Sequence, residues 1–244
     1  SANNLSFRAF YKYIFRMPTF NDLYYTDIGN IALKPEYTHQ YNVGFYYSKE
    51  YKGHIKTWQA QADVYYNQVT DKIVAVPKGN GMYRWMMMNL GTVEIKGIDV
   101  STSSLIALSK NLFANVKLSY TYQKAQDFTK RKSKELQKIT YGGQIPYIPW
   151  HNGSAIVGLM YKDWRLNYSF IYVGERYHNS ANIPENYEQP WYTHDMSMSK
   201  TFFYKKWNGK ISLEINNLLS QDYEVVLNYP MPKRNFKLAI SFEI

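Results

Sequence analysis

"FKLAISFEI", residues 236–244, alternates without a miss: Phe236, Leu238, Ile240, Phe242 and Ile244 against Lys237, Ala239, Ser241 and Glu243. Successive side chains of an extended chain point to opposite faces, so this parity describes a strand with one apolar face. The same period recurs along the chain. Tyr37, His39, Tyr41, Val43, Phe45 and Tyr47 share a parity, as do Trp58, Ala60, Ala62, Val64 and Tyr66. Ala114, Val116, Leu118, Tyr120 and Tyr122 do so again, and then Trp164, Leu166, Tyr168, Phe170 and Tyr172. The pattern predicts about ten strands, at 4–14, 36–50, 55–74, 88–106, 112–125, 150–161, 164–176, 191–203, 209–219 and 234–244. Val93 and Ile95 lead into Ile98 and Val100 across Gly97, and this change of phase at a glycine predicts a β-bulge.

Composition agrees with an all-β chain. Tyr, Phe and Trp number 25, 12 and 6 in 244 residues, an 18% aromatic content that favours strands. No run approaches the roughly 20 apolar residues of a spanning helix. A mean hydropathy of −0.49 leaves a membrane β-barrel open, because half of each strand faces a polar lumen. The absence of cysteine excludes disulfides and thiolate metal sites. A formal charge of +10 raises the question of nucleic acid, but Lys and Arg are spread out and cluster only at "KRKSKELQK", 130–138. Nucleic acid is therefore not expected as a partner.

Connections alternate between two kinds. Short ones fall at 51, 108, 162 and 204, and long ones at about 15–35, 75–87, 126–149, 177–190 and 220–233. Short turns at one end and long loops at the other are the plan of an outer-membrane barrel. Strand lengths suit the roughly nine to eleven residues of a tilted bilayer crossing. Tyr46, Tyr47, Tyr65, Tyr66, Trp150, Tyr172 and Trp191 lie near strand ends, as an interfacial girdle requires. A soluble β-sandwich is the alternative, although its strands average about five or six residues.

Four boxes carry a family resemblance. "FRMPTFNDLYYTDIGNIALKPE" (15–36), "NLGTVEIKGIDV" (89–100), "PYIPWHN" (146–152) and "NNLLSQDYEVVLNYPMPKRNFKLAISFEI" (216–244) resemble, in order, segments of TonB-dependent outer-membrane receptors. The resemblance implies an antiparallel up-and-down transmembrane barrel of about 22 strands plugged by an N-terminal domain. Residues 1–244 are then expected to be the C-terminal barrel portion, with the plug and earlier strands outside them. It further implies uptake of an iron-siderophore or cobalamin-like ligand across the Gram-negative outer membrane. Partners implied are the TonB complex through the plug, the barrel assembly machinery, outer-membrane lipid and lipopolysaccharide, and a small metal chelate. The terminal strand, Phe236, Leu238, Ile240, Phe242 and Ile244, resembles the assembly signal of such barrels, with Ile244 where Phe is usual. Haem is not expected, since no His lies between Arg16 and Glu36. No resident cofactor is implied.

The long loops offer flat apolar surface at Tyr24, Tyr25, Trp85, Tyr141, Tyr177 and Tyr187, and charge at Arg84 and Arg176, for an amphipathic, partly anionic ligand. Gln59, Gln61, Asp63, Lys117 and Arg165 have the parity of the lumen and are expected to face it or the plug. The run 130–138 is expected to meet lipopolysaccharide phosphate or solvent. Ten-stranded omptin-like hydrolases are the enzymatic alternative. Adjacent His194 and Asp195 point to opposite faces of a strand and cannot form an acid–base couple, so no catalytic site is expected. The five His are scattered, and Asp22 and Asp27 read as turn residues rather than metal ligands.

Overall fold

A computed structural model describes residues 3–77, 85–204 and 207–243, so Arg84 and Ile244 fall outside the described residues. Ten long strands follow one another: β1 (Asn3–Arg16), β2 (Glu36–Glu50), β3 (Ile55–Pro77), β4 (Trp85–Ser109), β5 (Leu112–Asp127), β6 (His151–Tyr161), β7 (Trp164–Val173), β8 (Trp191–Tyr204), β9 (Trp207–Asn216) and β10 (Asn235–Glu243). Each pairs antiparallel with the next, in one meander from β1 to β10. Among the described residues β1 and β10 are its two edges and do not pair with each other. Gly143–Gln144 adds a short rung beyond the main path, against the end of β5.

The strands fall within a few residues of the expected positions. β3 and β4, at 23 and 25 residues, are about twice as long as a tilted bilayer crossing requires, so their hairpin continues past it. Two short helices interrupt the long loops, α1 (Phe20–Tyr24) and α2 (Lys134–Thr140). Thr19 and Asp22 form a capping box on α1, and the Ser133 side chain accepts from Leu136 N on α2. Period-two counting passes over helices of only one or two turns.

Register gives the sheet two chemically distinct faces. One cross-strand row runs Phe7, Phe45, Ala62, Val100, Tyr120, Gly153, Tyr172 and Tyr192. The adjoining row on the other face runs Arg8, Gly44, Asp63, Asp99, Thr121 and Asn152. The apolar row is open: Phe7 is 62% exposed and Phe45 53%, and at the far edge Phe236 is 66% exposed. In a sandwich these side chains would interdigitate with a second sheet. Among the described residues no second sheet covers them, which is the geometry of a wall facing lipid.

The buried cluster lies elsewhere. Val69, Leu90, Val93, Ile95, Ala125 and Ile145 pack together with Tyr65, Val74, Met88 and Ile148 near the long-loop end. Val69, Val93, Ile95 and Ala125 share the parity of the polar face, and Ile145 N donates to Ala125 O, so loop 128–150 folds back over that face. This explains residues 93–100 and corrects the expected bulge. The β3–β4 register passes through Ile95, Lys96, Gly97 and Ile98 without a shift. The apolar side chains change sides because burial under the loop gives way to the open face. Gly97 is small for another reason: a Cβ there would stand 2.4 Å from the ring of Tyr65.

Candidate ligand-capture site

The first long loop is fastened by the residues of its boxes. Asn89 Oδ1 accepts from Lys34 N at 2.8 Å, while its amide donates to Lys34 O at 3.1 Å and Asp71 O at 2.7 Å. Asn30 Nδ2 donates to Met87 O, and Met87 N to Ile28 O. Glu36, 9% exposed, accepts from Ile73 N at 3.0 Å and pairs with Arg16 at 3.6 Å. Arg16 also reaches Asp22, whose carboxylate is engaged in the cap of α1. The loop therefore rides on the protruding β3–β4 hairpin.

A second assembly joins the later loops. Arg176 is 3% exposed and donates to Gln189 O, Glu224 O and Val225 O at 3.2, 2.7 and 3.2 Å. Burial pulls its pKa below the usual arginine value. Its charge is thus committed to clipping three backbone segments together, not displayed at a rim. Tyr147, in the left-handed region at φ 58°, donates its N–H to Tyr177 O, and its hydroxyl accepts from Leu227 N at 3.4 Å. Burial raises the Tyr147 phenol pKa above its ordinary value.

Aromatic contacts follow this frame. Trp85 lies 5.4 Å from Tyr147, and Tyr177 meets Tyr187 edge-on at 5.9 Å. The Tyr187 hydroxyl donates to Glu175 at 2.9 Å, and this bond raises the phenol's pKa. Trp191 stacks on Tyr223 at 4.5 Å, beside a cavity of about 290 Å³ lined by Tyr187, Glu188, Trp191, Asp222 and Tyr223. Trp191 has the polar-face parity, opposite Val173, and so leaves the girdle for the loop cap. Of the expected loop residues, Trp85, Arg176, Tyr177 and Tyr187 come together. Tyr24 and Tyr25, both nearly 60% exposed, stand by α1, and Tyr141 packs edge-on against Phe128 by α2. Tyr147, Trp191 and Tyr223 were not expected in the cap. No local sequence signal marks Tyr147: the two prolines of "PYIPW" restrict Ile145 and Ile148, the residues before them, and leave Tyr147 itself free.

Below the loops, Gln59, Gln61, Asp63, Lys117 and Arg165 share the parity of the polar face of the sheet. Arg8 reaches across Gly44 to Asp63 at 2.6 Å, and Gln61 donates to the other Asp63 oxygen at 2.7 Å. A Cβ at residue 44 would stand 2.3 Å from the Asp63 carboxylate, so glycine makes the crossing possible. Gln59, Gln61 and Lys117 line a depression of about 300 Å³ with Ser101, Ser103 and Asn115. Arg165 lies opposite Ser199 on the same face. Phe236, Leu238, Ile240 and Phe242 share the apolar face of β10.

His194 and Asp195 point apart: His194 Nδ1 lies 2.6 Å from the Tyr168 hydroxyl, and Asp195 accepts from Asn217 N on the other face. Among the described residues no group of three His, Cys, Asp or Glu side chains is placed to hold a metal.

Comparison with known proteins agrees with this architecture. Residues 1–218 match the family model described as TonB dependent receptor-like, beta-barrel. The chain is 26% identical over 231 residues to the vitamin B12 transporter BtuB of Photobacterium profundum, covering 94% of this chain and 34% of that protein. It is 34% identical over 86 residues to BtuB of Vibrio vulnificus, covering 35% and 13%. Among solved structures it superposes on the copper transporter OprC with a TM-score of 0.68 at 18% identity, covering 98% of this chain and 37% of that one. The ferric-catecholate import receptor Fiu from K12 E. coli gives 0.64 at 16%, covering 98% and 32%. These relatives are transporters and receptors, not enzymes, and the chain spans about a third of the length of each, or less. With an antiparallel barrel-type sheet of one apolar and one polar face and a family match over residues 1–218, the chain belongs to the TonB-dependent receptor β-barrel family.

Proposed function

We propose that this chain is the C-terminal wall of an outer-membrane receptor that imports a small metal chelate of the cobalamin or iron-siderophore kind, powered through TonB and a plug domain. The observation that carries the reading is the loop cap: Trp85, Tyr147, Tyr177, Tyr187, Trp191 and Tyr223 gathered over the polar face and held by buried Arg176. Such a cap offers flat rings to an amphipathic ligand while the open face of the sheet rests in lipid. Both sequence relatives named above are vitamin B12 transporters, which favours a cobalamin-like ligand over a siderophore.

In this reading ligand is captured between the loops and released past a plug that rests on Gln59, Gln61, Asp63, Lys117 and Arg165. The exposed apolar row of β10 is read by the barrel assembly machinery, and the lysines around α2 meet lipid phosphate. The chemistry is transport: no bond in the ligand is altered. The test is growth of a strain lacking the gene, supplied with limiting cyanocobalamin or with single ferric siderophores. Loss of growth on cyanocobalamin, restored by the gene, supports the favoured reading. Loss on one siderophore alone selects the second, and growth equal to the parent on all of them rejects both.

A further inference from the structure

The cavity of about 290 Å³ in the loop cap is walled by the stacked rings of Trp191 and Tyr223, with Tyr187 as a third ring, and by the carboxylates of Glu188, Asp222 and Glu224. Among the described residues no lysine or arginine lines it, although the chain as a whole carries a formal charge of +10. Arg176 is buried and spends its guanidinium on three backbone carbonyls, two of them belonging to Gln189 and Glu224 of the cavity wall, so it offers no donor to the cavity. Glu188 meets His178 at 2.9 Å and Glu224 accepts from Asn228 N, through one oxygen each. Asp222 stands at the exposed rim, 3.1 Å from Lys233 Nζ. Burial, and after it the Asp195 carboxylate, raises the Tyr223 phenol's pKa, a second sign of a negative field at these rings. Trp191 Nε1 is buried and has no hydrogen-bond partner among the described residues, a donor left over for an acceptor that a ligand can supply.

We propose that this cavity binds a cationic group of the captured ligand, an ammonium or guanidinium with a carbonyl or hydroxyl oxygen beside it. The proposal rests on the reading of the loops as a capture cap and adds the charge of the ligand to it. Carboxylates alone would attract any cation and would be screened by salt. The rings make the choice: the faces of Trp and Tyr attract an ammonium or guanidinium through the ring quadrupole, and its alkyl substituents bury against them. An anionic group would meet three carboxylates with no cation on the wall to answer it. The sign of the site is therefore opposite to the one that arginines in these loops suggest from sequence, because Arg176 is turned to the backbone.

The test uses the full-length receptor in nonionic detergent, titrated with acetylcholine or with 3,3-dimethylbutyl acetate and read by saturation-transfer NMR. The two molecules share shape and ester carbonyl and differ only in the charge. Wild type is expected to prefer acetylcholine about thirtyfold, and D222N/E224Q to reduce that preference about tenfold. Lys233→Gln, which removes the ammonium competing for Asp222 and lies outside the cavity wall, is expected to raise the preference about threefold, and it decides the matter if the double variant fails to fold. A preference absent from wild type, kept in full by D222N/E224Q or not raised by K233Q overturns the proposal. Growth equal to the parent on every source, with the acetylcholine preference intact, would instead overturn the transport reading alone.

Discussion

The guanidinium of Arg176 donates to the backbone carbonyl of Glu224 at 2.7 Å, joining loops 48 residues apart in sequence. Together with the bonds to Gln189 O and Val225 O it makes one side chain the fastening of the cap. Arg176→Met keeps much of the bulk and removes the donors. Hydrogen bonds from a charged group are worth roughly 1.5–3 kcal/mol each, so local opening of loop 217–234 becomes easier by on the order of 3 kcal/mol. Limited proteolysis of that loop is expected to accelerate about a hundredfold, with little change in strand stability.

Gly97 offers a second test. The Tyr65 ring occupies the space of the missing Cβ, and its hydroxyl bonds Gln123 at 3.3 Å. Gly97→Ala displaces the ring and is expected to cost about 1–3 kcal/mol in urea unfolding. Adding Tyr65→Ala to it is expected to produce a cost smaller than the sum of the two single changes, because both act on one contact.

Tyr147 predicts a pH dependence. Burial raises its phenol pKa above the ordinary tyrosine value of 10.0, so the folded cap favours the neutral form. Its stabilising contribution is complete below that value and is lost as pH rises through the higher folded pKa. Protease resistance of the cap is expected to hold at neutral pH and to decline above about pH 10, with a smaller decline in Tyr147→Phe.

Where the sequence was legible, the reason was physical. The parity of Phe236 to Phe242 or of Tyr37 to Tyr47 is imposed by one environment along a whole strand, so local pattern and tertiary role coincide. Gly97 misled because the apolar side changes there from loop-covered to open, a change that parity alone cannot tell from a bulge. Arg176 misled for a related reason: an arginine in a loop reads as a free cation until its three carbonyl partners, 13 to 49 residues away, are placed around it. Tyr147 meets Trp85, and Trp191 meets Tyr223, only through folding, and α1 and α2 are too short to disturb a periodicity.

Substitutions on opposite faces of β5 are expected to diverge. Leu118, 46% exposed on the apolar face, becomes Arg at a cost of about 2–4 kcal/mol near mid-bilayer. Ser119→Arg on the polar face is expected to stay within about 0.5 kcal/mol. Urea unfolding of the receptor in bilayers measures both.

Residues 1–244 contain no cysteine, and single cysteines introduced at Val100, Ser101, Leu118 and Ser119, with any native cysteine elsewhere in the receptor replaced by serine, can each carry a spin label. Collision with oxygen, which concentrates in lipid, and with a water-soluble nickel chelate then measures directly whether one face lies in the bilayer and the other lines an aqueous lumen. The predicted result is alternation: labels at Val100 and Leu118 in the full-length receptor favour oxygen, and those at Ser101 and Ser119 favour the chelate. Equal accessibility on the two faces, or the reverse order, would contradict it.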